Sequence, residues 1–498
     1  MIRRIAQAWG FATILLLPSY VDLTSSLGDE QMHVPWPLTR IALAQLADLA
    51  IVAIAFAVLM ALLRKLKAWK GIRWALMAFL PAFLLLRNLS LSPIHIPNIA
   101  VCAAIAAWIA GLLLLVLRAP AVASRLYGLG SAVLTGFAVF AVVISWQLVH
   151  AALWRPAPNA FAHTISAQPP NKPRLVWILF DELAYQPTFG SRDPSLSLPN
   201  FDRLRSESTL YTDITPIAYR TKLVIPSLQL DQSVTDSDYT PDNRFLVRTE
   251  DSPHWQTFNL NASLLSQAQH RGLTTSIVGW YLPYCPIFAG VATECYWNNN
   301  DTEDGAPPSH DADFVEDVWI PLRILAEQFF MPRTAWANIG DWASQGHIAT
   351  VKDISQHALA TLATSQADII YLHLPTPHPP AFWDRHKHAF AVGGSYLDSL
   401  DYSDRLLGQM LDILQAQPRW SATTVIAQGD HSWRTRLWRP VPGWSAEDER
   451  ISQGGQWDPR PLLLIHRAGQ QDPQTVIAAT SLMHVHDFVA AQIQAQAH

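Results

Sequence analysis

Two hydrophobic rhythms divide the 498-residue chain. Through residue 154 apolar residues run on almost without interruption; from 174 onward short β-branched runs alternate with amphipathic stretches. Five early runs approach the roughly 20 apolar residues that a bilayer crossing needs. They fall at 5–23, 41–63, 73–87 with a short extension, 96–117 and 129–153, the third being short and carrying Pro81. The pattern predicts an N-terminal bundle of five transmembrane helices over 1–154, a Pro-rich linker over 155–173, and a folded domain over 174–498.

In that last part the strand candidates are 174–180, 274–280, 367–374, 423–429 and 461–466, and the helix candidates are 199–208, 262–271, 353–365, 396–416 and 479–495. Their alternation predicts an α/β sandwich with a largely parallel central sheet. The apolar runs lack strict alternation, as expected of strands covered on both faces. The stretch 283–350 is rich in Trp, Pro and Asp with weak periodicity, and reads as insertions around a site.

Charge placement orients the bundle. Arg3 and Arg4 precede the first run; Arg64, Lys65, Lys67, Lys70 and Arg73 fill the second loop; Arg118 and Arg125 lie in the fourth. The first loop, 24–37, has Asp29 and Glu30 and no Lys or Arg. The positive-inside rule puts the N-terminus in the cytoplasm, and an odd number of spans puts the folded domain outside. A cleaved signal peptide over 1–23 would lack a small-residue cleavage site and leave four further runs unexplained. Asp48 lies a few residues inside the second run, where an acid costs on the order of 2.5–3.5 kcal/mol at the bilayer centre and less near its edge. It is expected to pair with Arg40 or Arg87, either as a helix-packing ion pair or within an outer-leaflet headgroup site.

A formal charge of −5 without a basic stripe speaks against a nucleic-acid partner. Cys102 sits inside a span. Cys285 and Cys295 are spaced for one disulfide in an oxidising compartment, or stand as two buried thiols.

The candidate chemistry lies at strand ends. Asp181 and Glu182 close the run 175–182, Asp430 and His431 close 423–431, and Thr221 opens a helix-like segment. In open α/β sheets ligands bind beyond the carboxyl ends of the strands, so these distant residues can converge. Two carboxylates, an imidazole and a hydroxyl suit a divalent metal, Zn or Mn. Coordination that favours the alkoxide is one of the few ways to make a Thr nucleophilic, and the metal would also offset charge on phosphoryl oxygens. The residues thus point to metal-assisted phosphoryl transfer.

The domain resembles the alkaline phosphatase/sulfatase superfamily, in particular its membrane-anchored sulfatase-like branch of phosphoethanolamine transferases and lipoteichoic acid synthases. The likeness rests on Val-Trp-Ile-Leu-Phe-Asp-Glu (176–182), Pro-Asn-Phe-Asp-Arg-Leu (199–204), Thr-Lys-Leu-Val-Ile-Pro-Ser-Leu (221–228), Tyr-Leu-His-Leu-Pro-Thr-Pro-His-Pro-Pro (371–380) and Gly-Asp-His-Ser-Trp-Arg (429–434). The resemblance implies Asp181, Thr221, Asp430 and His431 as metal ligands, Thr221 as nucleophile and His378 as a group contacting substrate or leaving group. Glu182, His373 and His486 become supporting residues, Glu182 also being a possible ligand. It further implies a bacterial inner-membrane enzyme with its catalytic domain on the periplasmic side. Thr221 would take a phosphoethanolamine- or phosphoglycerol-type group from a phospholipid and pass it to an envelope glycan or lipid. A membrane-anchored hydrolase, or a non-catalytic envelope protein of the same fold, are the alternatives.

Three departures stand out. Sulfatases carry Cys or Ser at the position of Thr221, within Cys/Ser-x-Pro-x-Arg, for oxidation to formylglycine; neither the residue nor the motif is present. Gln229-Leu230-Asp231 replaces the usual Leu-Thr-Gly, and Ser432 replaces the Gly of Asp-His-Gly.

Overall fold

The computed structural model describes residues 2–24, 39–90, 98–153, 165–239, 244–298, 313–330, 334–440 and 443–496. They form two compact units: one built on the N-terminal helices and helix Phe314–Phe330, the other on residues 165–298 and those from 341 on.

The first unit contains α1 (Ile2–Thr24), α2 (Thr39–Leu63), α3 (Trp69–Ser90), α4 (Asn98–Arg118), α5 (Pro120–Gly136) and α6 (Ala138–Leu153). Two segments among the described residues are long and apolar enough to cross a membrane: α2, and the continuous run Pro120–Leu153 made by α5 and α6. The apolar part of α4, Cys102–Arg118, is shorter. The expected five spans therefore reduce to two on this measure. The run at 129–153 is the later part of a longer helical segment, because Phe137 keeps helical dihedrals between α5 and α6.

Asp48 also departs from expectation. It is fully buried and neither of its carboxylate oxygens has a hydrogen-bond partner. Arg40 instead donates from Nε to Asp317 Oδ2 at 2.7 Å, tying α2 to helix Phe314–Phe330. The Arg87 side chain, the first loop from residue 25 and the linker up to 164 lie outside the described residues.

The second unit is organised by one sheet. Its strands are β1 (Arg174–Phe180), β2 (Thr209–Tyr211), β3 (Thr275–Trp280), β4 (Glu294–Asn298), β5 (Ile369–Leu374), β6 (Thr423–Gly429), β7 (Leu463–His466) and β8 (Gln474–Val476). The order across the sheet is β8-β2-β7-β6-β1-β5-β3-β4. The β6-β1-β5-β3-β4 portion is parallel; β7 runs antiparallel to both of its neighbours. The α/β class with a largely parallel sheet is therefore the observed one.

Every residue of β1 is buried, and successive side chains enter different cores. Leu175, Trp177 and Leu179 pack with α8 (Thr221–Leu230), α9 (Leu264–His270) and α12 (His484–Gln496). Val176, Ile178 and Phe180 pack with α7 (Pro199–Ser206), α10 (Thr334–Thr364) and α11 (Tyr396–Gln415). Burial on both faces removes the period-2 polarity signal. A separate antiparallel sheet, Val234–Tyr239, Phe245–Thr249 and Ser252–Thr257, was not expected, its strands being short and mostly polar. The stretch 283–350 is likewise not uniformly loop, since it holds β4, helix Phe314–Phe330 and the start of α10.

Helix α7 starts at Pro199 without a cap of its own. Asp404, on the neighbouring α11, supplies one: Oδ1 accepts from the Asn200 and Phe201 amides at 3.0 and 2.8 Å, and Oδ2 from Asn200 Nδ2 at 2.8 Å. Stranding two amide donors at a buried helix–helix contact costs about 1–3 kcal/mol. We expect Asp404→Ala to lower unfolding stability by that amount in chemical denaturation, with metal binding unchanged.

Candidate functional site

Register brings the site together. Phe180, the last residue of β1, pairs with Gly429 on one side and Leu374 on the other. Asp181 and Asp430 therefore leave adjacent parallel strands at the same level, and His373 reaches that level from β5. The chain turns sharply after Asp181, with Glu182 in the left-handed region at φ 63°. Such a backbone costs roughly 1–2 kcal/mol for a non-glycine residue. Two hydrogen bonds hold it: the Glu182 amide donates to Asp430 Oδ1 at 3.0 Å, and Tyr396 Oη donates to the Glu182 carbonyl at 2.6 Å. Gly429 makes room for this turn, since a Cβ there would sit 2.2 Å from the Leu183 carbonyl oxygen.

Thr221 is the first residue of α8 and meets this edge. Its Oγ1 lies 2.8 Å from Asp430 Oδ2, 3.1 Å from Asp181 Oδ2 and 3.4 Å from His431 Nε2. His431 Nε2 is 3.3 Å from Asp430 Oδ2 and 3.7 Å from Asp181 Oδ1; His373 Nε2 is 3.8 Å from Asp181 Oδ2. Asp181, His373, Asp430 and His431 are all buried, and Thr221 nearly so.

Burial and its neighbour's charge push the Asp181 carboxyl well above the usual carboxylate range, and burial raises Asp430 too. The imidazoles stay neutral: burial lowers His373 to about 4, and burial with the nearby Arg434 cation lowers His431 to about 3. Neutral imidazole is the metal-binding form.

Arg434, not singled out from the sequence, anchors the other half of the cluster. It donates through Nε to Glu182 Oε1 and through its amide to Glu182 Oε2 at 3.1 Å. Trp438 Nε1 donates to the same carboxylate at 2.9 Å. Glu182 thus has its oxygens engaged, chiefly as the counter-ion of Arg434. Arg434 Nη2 in turn donates to His378 Nε2 at 3.1 Å, which leaves that nitrogen unprotonated. Burial and Arg434 together hold His378 well below the usual imidazole range. The sequence offered one signal for Arg434, its place at the end of Gly-Asp-His-Ser-Trp-Arg, four residues after Asp430.

His373 is held from behind by Tyr284, whose hydroxyl is 2.8 Å from Nδ1. Tyr284 precedes Cys285, which forms a disulfide with Cys295. His486 stands apart from the cluster: its Nδ1 donates to the Leu228 carbonyl at 2.8 Å, propping the far turn of α8.

These residues fit a divalent cation. Asp181 Oδ1 and His373 Nε2 are buried without any hydrogen-bond partner. Asp181, His373 and Asp430 can offer ligand atoms within 4.8 Å of one another, as can Asp181, Glu182 and His431. Ionised, the carboxylates of Asp181, Glu182 and Asp430 outnumber the Arg434 guanidinium by two charges, which one divalent ion balances.

Removing one of the two like charges should relieve the metal-free protein. Because folded Asp181 binds its proton more tightly than the unfolded chain does, its penalty is present above the raised pKa and fades as pH falls. We expect chelator-treated Asp181→Asn to be more stable than wild type by more than about 1 kcal/mol at pH 8, with the gap closing on acidification. Adding metal should reverse the order, because the wild type gains binding energy that the variant has lost. Denaturation midpoints across pH, with and without metal, check both parts.

The family comparison agrees with the fold. The family model described as Sulfatase matches residues 173–491. A phosphonate monoester hydrolase of Agrobacterium radiobacter is similar at 14% identity, over 65% of this chain and 74% of that one, with a TM-score of 0.40. The PsFucS1 sulfatase from Pseudoalteromonas sp. is similar at 12% identity, over 65% and 68% of the two chains, with a TM-score of 0.43. A protein in the alkaline phosphatase superfamily from Vibrio parahaemolyticus is similar at 13%, over 65% and 66%, with a TM-score of 0.38. Comparison with curated proteins finds no match. The family match covers well over half of the chain and takes in every residue of the cluster, so the chain belongs to the sulfatase family and is an enzyme of the sulfatase-like type.

Proposed function

We propose that the protein is a membrane-anchored phosphoryl-group transferase that carries the transferred group on Thr221. The observation behind this reading is the identity of the residue at the point of convergence. A Thr hydroxyl, within 3.4 Å of two carboxylates and an imidazole, stands where formylglycine chemistry would need Cys or Ser. Asp181, Thr221, Asp430 and His431 would hold Zn or Mn, with His373 close enough to join them. When bound, the metal would favour the Thr221 alkoxide and offset phosphoryl charge.

In the first half-reaction Thr221 Oγ1 forms a bond to phosphorus and the bond to the donor's leaving oxygen breaks. The hydroxyl proton passes to Asp430 Oδ2, which it already faces at 2.8 Å, and the leaving oxygen takes a proton from water. In the second, an acceptor hydroxyl attacks phosphorus, the bond to Thr221 breaks and Oγ1 takes back the proton held on Asp430 Oδ2. Arg434 neutralises the phosphoryl oxygens. Turning towards them frees His378 Nε2, which accepts the acceptor's proton and passes it to the hydroxide left by the first half-reaction. A neutral His378 suits this role, within the contact to substrate or leaving group that the resemblance implies.

The donor is a phospholipid headgroup of the phosphoethanolamine or phosphoglycerol type, and the acceptor an envelope glycan or lipid, with no nucleic acid involved. Five N-terminal spans would place the enzyme in a bacterial inner membrane with its catalytic unit outside. The two apolar segments support attachment to a membrane, and the charge placement with a disulfide that suits an oxidising compartment supports the outer side. The same residues serve hydrolysis when water replaces the acceptor, and membership of the family accommodates that reading equally.

Intact mass of the full chain, purified with its native lipids, decides between them. We expect an adduct with the mass of the donor's phosphoryl headgroup on wild type and none on Thr221→Ala, whose turnover falls by about a thousandfold or more while it still folds. Turnover that releases free headgroup phosphate with no acceptor present would favour the hydrolase, and full activity in Thr221→Ala would overturn both.

A further inference from the structure

A cavity of about 840 Å³ is framed by the loops that leave β1, β2 and β6 and by the chain entering β7; chain neighbours of the cluster line it, though none of the cluster's own residues does. Tyr219, Trp433 and Thr435 line it, and these are close chain neighbours of Thr221, His431 and Arg434. Its volume lies in the range of small-molecule sites.

One wall is fastened to the chemistry. Trp457 Nε1 donates to Ser432 Oγ at 3.0 Å, and the Ser432 carbonyl accepts from His431 Nδ1 at 3.1 Å. Ser432 is fully buried. This residue replaces the family's glycine, so the departure gains a purpose: its hydroxyl positions the Trp457 ring. The ring meets Tyr219 edge-on with centroids 4.6 Å apart. Tyr219, 46% exposed, stands two residues before the nucleophile.

The remaining lining selects against charged and greasy ligands. Three arginines and three aspartates contribute to it: Arg192, Arg450, Arg460, Asp193, Asp213 and Asp458. Each guanidinium already faces a carboxylate at 2.6–2.7 Å: Arg450 on Asp193, Arg460 on Asp458, and Arg192 on Asp202 outside the cavity. A polyanion would have to break such pairs. An acyl chain would strand the amides of Gln453 and Gln456, which also line the space.

We propose that this cavity is a subsite for a neutral saccharide, resting one apolar ring face on the Trp457–Tyr219 wall and giving its hydroxyls to the glutamine amides and paired charges. The inference rests on the transferase reading, in which this saccharide is the acceptor whose hydroxyl is turned towards Thr221. It selects a glycan over a lipid as the acceptor.

The test is equilibrium binding to the full-length Thr221→Ala protein in detergent, followed by tryptophan fluorescence and by ligand-observed NMR. The probes are neutral glucose and N-acetylglucosamine trisaccharides, a sulfated trisaccharide and a short-chain phosphatidylglycerol. We expect a neutral trisaccharide to bind. Trp457→Ala should weaken it roughly fivefold to tenfold, as befits loss of one stacked aromatic, with metal content unchanged. Tyr219→Ala, at an exposed position, asks the same question if Trp457→Ala does not fold. Preference for the sulfated or lipid probe, or neutral binding indifferent to both substitutions, overturns the proposal. Failure of the transferase reading shows separately: saccharide binding without any adduct on wild-type Thr221 keeps the subsite and makes the saccharide part of a hydrolysed substrate.

Discussion

The constraint on which the second unit depends is the burial of two like charges side by side. Asp181 and Asp430 end adjacent parallel strands, out of water, where each makes the other's ionisation costly. Such an arrangement persists only when neighbouring groups are built to support it. The amides of Glu182 and His431 and the Thr221 hydroxyl all donate to Asp430. The last excess of negative charge is left for a cation. What looks like a local defect in the metal-free protein is therefore what equips this edge to hold a divalent ion.

The rest of the edge serves this arrangement. Glu182 accepts a strained backbone, and its carboxylate holds Arg434. Gly429 gives the turn its clearance, and Tyr396 ties it to α11 through hydrogen bonds with the Glu182 carbonyl and the Ala184 amide. Arg434 then reaches His378 from one side while Tyr284 supports His373 from the other. The result is a cluster in which the imidazole of His373 and the hydroxyl of Thr221 are held in place by their neighbours.

The first unit carries a related tension. Asp48 is buried among apolar helices with no partner for either oxygen, while the nearby Arg40 is committed to Asp317. Helix Phe314–Phe330 thereby clusters with the N-terminal helices although it lies in the sequence between two segments of the second unit. The chain is not divided by a single cut near residue 154.

How much of this was legible beforehand depends on whether the signal was local. The five strand candidates all correspond to strands of the main sheet, because long β-branched runs bounded by turn residues are set by nearby residues. Asp181, Asp430 and His431 could be picked out because strand ends in such a sheet face one site whatever the loops do, and Thr221 meets them from the start of α8. Short strands such as Thr209–Tyr211 could not, since three residues carry too little pattern to distinguish them from a turn. Nor could the pairing of Arg40, the isolation of His486, the service of Glu182 to Arg434 or the link from Ser432 to Trp457. The sequence by itself determined where the longer strands of the main sheet run and which residues stand at their ends. Only the tertiary structure decided which charges meet, because a buried ion pair or hydrogen bond joins residues hundreds of positions apart, and its energy depends on distance and burial that no local pattern encodes.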